Sequence, residues 1–82
     1  MENKKLSKQI GKYTLNYSCG HDNLGKYVKV EEYEGEVMTR CVVLYPVINN
    51  DNDVNKIVDL FHENDVFSIN AENVLCDLGY VL

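Results

Sequence analysis

The sequence predicts an α+β domain: a three-stranded antiparallel sheet, preceded by a short N-terminal helix, with two C-terminal helices packed on one face. Three observations carry this reading. Residues 13–19 alternate strictly, with Tyr13, Leu15, Tyr17 and Cys19 on one side and Thr14, Asn16 and Ser18 on the other, the period of a half-buried strand. Residues 26–33 and 37–45 form two further β-rich runs folded about an acidic tip at Glu34-Gly35. After Asp53 the apolar spacing changes to that of helices. With 82 residues the chain is one domain, 1–82.

Residues 3–10 read as one or two helical turns, because Leu6 and Ile10 stand four apart and share a helical face, or else as a frayed tail. Gly11 ends that helix. The first strand is 12–19, followed by a loop over 20–25 bounded by two glycines. A two-residue turn at Glu34-Gly35 would set Val30 against Thr39 and Val28 against Cys41; Glu-Gly is not a favoured hairpin pair, so a longer loop is the alternative. That register places Val28, Val30, Cys41 and Val43 in the core and Lys29 opposite Arg40 on the other face. Pro46 closes the third strand. A polar loop covers 49–53, where Asp51, Asn52 or Asp53 caps the next helix. Val54, Ile57, Val58 and Phe61 give that helix its buried stripe, and it runs to about Asn64. Val66-Phe67 is a short apolar link. Ser68 or Asn70 caps a second helix with Ala71, Val74, Leu75 and Leu78 inward and Gly79 just past its end. Tyr80-Val81-Leu82 packs back or pairs as a short edge strand.

Charge narrows the function. Residues 1–12 carry four Lys and one Glu, or +3, and the remainder carries four bases and twelve acids, or −8. Such a body repels phosphate backbones, so direct nucleic-acid binding is not expected and a protein partner with a basic surface is. No apolar run reaches membrane-spanning length, and the charged N-terminus lacks the apolar core of a signal peptide. The expected location is cytoplasmic. Cys19, Cys41 and Cys76 form no disulfide framework and read as reduced thiols.

Reaction chemistry is sparse. Cys19-Gly20-His21 joins a thiol and an imidazole, the parts of a nucleophile–base pair or half a zinc site. No second close ligand pair accompanies it. A small Cys/His enzyme or a metal-stabilised accessory subunit is therefore the alternative reading. The run Asn49–Asp53 resembles a calcium loop, but the required Gly and Glu positions hold Lys56 and His62. A helix-turn-helix would need a recognition helix after Gly79, where three residues follow. The expectation is a non-enzyme without cofactor or metal.

Surface chemistry is richer. Glu31, Glu32, Tyr33, Glu34 and Glu36 gather four carboxylates and a tyrosine within six residues. Asp51 and Asp53 open a second acidic region. Carboxylates on rigid turns imitate phosphates toward Arg and Lys, and tyrosine adds anchoring area. These seven residues are the candidate partner-binding set. A free first- or third-strand edge also offers a pairing surface to a second copy.

In size, acidity and element order the chain resembles the small phage-encoded anti-CRISPR proteins that inhibit RNA-guided nucleases. Lys12-Tyr13-Thr14-Leu15 is similar to a Tyr-Thr stretch opening their first strand, and the Asn/Asp-rich loop before Ile57-Val58-Asp59-Leu60-Phe61 has a counterpart there. The resemblance implies a non-enzymatic inhibitor in a bacterial host, acting as a DNA mimic toward a CRISPR effector nuclease. Residues 66–71, where such inhibitors can carry an acidic run, have no charge here. An inhibitor of a different effector or defence system is equally compatible.

Overall fold

A computed structural model describes residues 2–47 and 51–81, the side chains of 2, 3 and 51 excepted. The order is β1 (Glu2–Ile10), β2 (Tyr13–Asp22), β3 (Gly25–Glu34), β4 (Val37–Leu44), α1 (Asp51–Glu63) and α2 (Ser68–Asp77). The strands form one antiparallel meander, β1-β2-β3-β4. Helix α1 lies over β1 and β2, reaching β3, and α2 lies over β3 and β4.

The N-terminal segment is a strand, not the predicted helix, and the sheet has four strands rather than three. The spacing of Leu6 and Ile10 does not separate the two, since four residues return to the same side in a helix and in a strand. Both residues pack on the core. Lys4 and Lys8 stand on the same side of β1 and meet acids of the helical layer: Lys4 Nζ lies 2.5 Å from Asp59 Oδ1, and Lys8 pairs with Asp65. Lys8 Nζ also donates to the His62 carbonyl at 2.8 Å. Lysine stems thus cover apolar surface while their heads reach charge, and hide the alternation that marks a strand.

The β3–β4 hairpin turns at Gly35-Glu36, one residue later than predicted, with Glu34 facing Val37. Gly35 has φ +63° and leads the turn, the arrangement a type II′ hairpin requires. A bulge at Thr39 adds one more residue, so Val30 faces Val42 and Val28 faces Leu44. The shift from the predicted register is odd, and an odd shift turns β4 over. Val42 and Leu44 pack on the core, whereas Cys41 and Val43, predicted inside, lie on the bare face. Lys29 faces Val43, and Arg40 faces Glu32, a far better partner than Lys29.

The core joins Leu15, Tyr17, Cys19, Val28 and Val30 of the sheet to Val54, Ile57, Val58, Phe61, Ala71 and Leu75 of the helices. Helix α1 begins at Asp51, so Asn52 and Asp53 occupy its first turn rather than a cap; residues 48–50 lie outside the described residues. It ends at a left-handed Asp65 (φ +53°), with Val66 N–H donating to the Phe61 carbonyl at 3.1 Å. Gly79 follows α2 as predicted, and Tyr80 N–H donates to the Leu75 carbonyl. Val81 accepts from Val47 N–H at 2.8 Å, so the C-terminal segment does pack back. Among the described residues no helix is long and apolar enough to cross a membrane.

Tyr17 is fully buried, and its hydroxyl makes no hydrogen bond among the described residues. Burial, then the charges of Asp65 and Glu32, push its pKa from 10.0 up to about 12. Below pH 10 both folded and unfolded chains hold this proton. As pH rises from 10 towards 12 only the unfolded chain releases it, so stability falls, at up to about 1.4 kcal/mol per pH unit. Tyr17→Phe is expected to raise stability at neutral pH by about 1 kcal/mol, since it deletes an unpaired buried polar group. It also removes this residue's share of the alkaline loss. Urea unfolding at neutral pH and near pH 11 checks both; a variant as pH-sensitive as the wild type contradicts the account.

A candidate binding cleft at the hairpin end

The meander brings the β1–β2 and β3–β4 turns to one end of the sheet. Between them and the start of α2 lies an open cleft of about 400 Å³, lined by Tyr13, Glu32, Glu34, Thr39, Arg40, Phe67, Ile69 and Asn70. Tyr13, Phe67 and Ile69 supply its apolar wall. The rings of Tyr13 and Phe67 meet edge to face, centroids 5.9 Å apart and planes at 89°, a favoured aromatic geometry. Ile69 is 68% exposed at the rim.

Its carboxylates come from alternate residues of β3. Glu32 is only 7% exposed, and its Oε1 accepts hydrogen bonds from Ser68 N–H at 2.6 Å and Ser68 Oγ at 2.5 Å. Both bonds fall on one oxygen. Ser68 therefore opens α2 as its first residue, and the predicted caps Ser68 and Asn70 give way to Glu32 reaching from the sheet. Glu34 is exposed and sits 3.0 Å from Lys12 Nζ of the neighbouring turn. The hydrogen bond and charge of Glu34 raise the pKa of Lys12, and Lys12 Nζ also stands 5.4 Å from the Tyr13 ring centroid. Thr39, the bulge residue, donates through Oγ1 to the Glu32 carbonyl at 3.3 Å.

The predicted partner-binding residues are thus divided. Glu32 and Glu34 line the cleft, and Glu36 stands exposed on the adjoining turn. Glu31 and Tyr33 lie on the bare face of the sheet, joined by a 3.4 Å contact from the Tyr33 hydroxyl to Glu31 Oε2. Asp53 is half-buried in the first turn of α1, at the opposite end of the molecule; the Asp51 side chain lies outside the described residues. Tyr13, Phe67 and Ile69 were not singled out by the sequence. An apolar Phe67 and Ile69 about the polar Ser68 were the available signal, but Val66-Phe67 reads equally well as a link.

The bare face holds a second, smaller pocket of about 260 Å³ formed by Asp22, Tyr27, Lys29, Val43 and Tyr45. The Tyr45 hydroxyl donates to Asp22 Oδ2 at 2.8 Å, and Leu24 N–H donates to Asp22 Oδ1 at 2.8 Å. These two bonds, Tyr45 first, lower the Asp22 pKa. They also organise the β2–β3 turn.

The Cys19 thiol is buried and donates to Asn55 Oδ1 at 3.1 Å, while His21 is exposed. Among the described residues no three His, Cys, Asp or Glu side chains are placed to hold a metal ion.

Fold and cleft together define a small α+β domain with an aromatic-walled cleft at one end that holds Glu32, Glu34 and Arg40. The chain matches no family model, no curated protein and no solved structure.

Proposed function

We propose that the protein is a non-enzymatic binding module whose hairpin end takes basic side chains of a protein partner, and that it acts as an inhibitor by occupying that surface. The observation that carries this reading is the cleft in which Glu32 and Glu34 lie with Arg40 beside the Tyr13, Phe67 and Ile69 walls, so a partner's basic group would compete there with Arg40 and with Lys12, which is paired to Glu34. A guanidinium fits such a setting, with carboxylate oxygens at its edge and aromatic surface at its plane. Glu36 and the −8 body extend the same field beyond the cleft. The narrower form of the proposal is a CRISPR effector nuclease as partner, with carboxylates standing in for DNA phosphates. The observed N-terminal strand removes one element of the order on which that resemblance rested.

Two measurements test the two forms. A fluorescent nona-arginine peptide is titrated against the wild type and against Glu34→Lys/Glu36→Lys, which leaves the Glu32–Ser68 contact intact. Loss of affinity of tenfold or more is expected, about 1.4 kcal/mol. Glu72→Lys/Asp77→Lys, the same charge change on α2, is expected to cost much less. Equal losses in both variants would show that only net charge matters. For the narrower form, target cleavage by guide-loaded nucleases is followed with the protein in excess. Undiminished cleavage across effector types removes it.

A further inference from the structure

The two edges of the sheet differ. On β1, Lys4, Lys5 and Lys8 lie along the strand, and two of them are tied to the helical layer, a familiar guard against strand addition. Strand β4 carries no lysine. Arg40 is its one charge, and Val37, Met38 and Val43 are 66%, 44% and 41% exposed. Among the described residues no strand lies beside its outer backbone groups.

We propose that two copies pair antiparallel along β4, with Val42 on the twofold axis, to give one continuous eight-stranded sheet. The register follows from the strand itself. The bulge at Thr39 and Pro46 bound a regular run, Arg40–Leu44, whose midpoint is Val42. An axis there pairs the whole run with itself: Val42 with its copy, Cys41 with Val43, and Arg40 with Leu44. An axis at Arg40 would set two guanidiniums face to face, and one nearer the turn would force the two bulges together. Opposite residues share a face in such a pair, so exposed Cys41 and Val43 cover each other and half-buried Val42 extends the core layer.

The helical layer fits the same arrangement. A twofold axis normal to the sheet keeps all four helices on one side. Each α2 lies over β3 and β4, so the two α2 helices are two strand spacings apart, roughly 9–10 Å. That is the ordinary separation of packed helices. Each chain carries a net charge of −5, so added salt is expected to strengthen the association.

Sedimentation equilibrium of the intact chain is the first test. The expected mass is twice 9.4 kDa, and a mass of 9.4 kDa at millimolar protein and high salt overturns the proposal. Val43→Lys is expected to return the monomer with unchanged circular dichroism and an unfolding midpoint that no longer rises with protein concentration; a dimer that survives it lies on another surface. The register is read from Val43→Cys in a Cys76→Ser background. The introduced thiol then faces Cys41 of the second copy, and diamide, taking two electrons and two protons per bond, is expected to give a covalent dimer. The oxidation is run above pH 9, since burial and Glu31 raise the Cys41 thiol pKa. A dimer that fails to cross-link has a different register and overturns the Val42 axis.

Discussion

Glu32→Ala is expected to destabilise the fold by about 3 kcal/mol and to loosen α2 before any other element. Ser68 N–H and Oγ both donate to Glu32 Oε1, and both residues are buried. Deleting the carboxylate strands two buried donors, at about 1–3 kcal/mol each when water cannot reach them. The helix has no local substitute. Its N-cap is Phe67, which makes no side-chain bond, and its first turn contains no acid. A helix start lacking an acceptor and a negative charge is satisfied here by β3, 36 residues away. Glu32→Gln keeps an acceptor oxygen but loses the charge, so its cost should be nearer 1 kcal/mol. Urea unfolding gives the totals, and hydrogen exchange gives the location: α2 amides should lose protection ahead of β2 and β3. If Glu32→Ala unfolds at the wild-type midpoint, the carboxylate is not what holds α2. Because Phe67 and Ile69 ride on this helix, the same variant should also open the cleft.

Phe61→Ala should cost more, about 3–4 kcal/mol. Phe61 is fully buried on α1 with its ring against Tyr17, centroids 6.3 Å apart. Its carbonyl holds Val66 N–H at the turn into α2. Removing the ring leaves a cavity between α1 and β2 that a backbone tied at both ends cannot close. For a chain of this size total stability is roughly 4–12 kcal/mol, so the variant is expected to lose a large share and to melt on the order of 15 °C lower. Ile69→Ala is the contrast, since Ile69 is 68% exposed; a change within about 0.5 kcal/mol is expected. Calorimetry of the two variants side by side decides it. Equal melting temperatures would place the core elsewhere.

The two residues show how far the sequence could be read. Phe61 was legible as core because Val54, Ile57, Val58 and Phe61 repeat at helical spacing, and their burial needs only a surface to face. Glu32 was legible as an acid but not as a cap. Its neighbours Glu31, Tyr33 and Glu34 drew it into an exposed tip, whereas strand alternation sends Glu31 and Tyr33 to the bare face and Glu32 and Glu34 toward α2. Nothing within a few residues of Ser68 announces that its acceptor comes from β3. The cleft was invisible for the same reason, since Tyr13, Glu32 and Phe67 meet only once the meander and α2 are in place.

Strand β1 and β4 mark the boundary from the other side. At β1, Leu6 and Ile10 satisfy both periods, and the lysines between them look solvated until Asp59 and Asp65 of the helical layer are set above. At β4, the run Val37–Leu44 is plainly a strand, but its facing depends on one residue of turn and one of bulge. Local pattern alone determined which segments bury apolar surface: β2, β3, α1, α2 and the stop at Gly79. Periodicity is a property of the chain, written wherever one side of an element meets water and the other does not. Tertiary structure decided what periodicity leaves degenerate. It made residues 2–10 a strand, turned Cys41 and Val43 outward, and changed Glu32 from a surface charge into the cap that positions one wall of the cleft. Each of these depends on a partner distant in sequence, and no local spacing encodes such a partner.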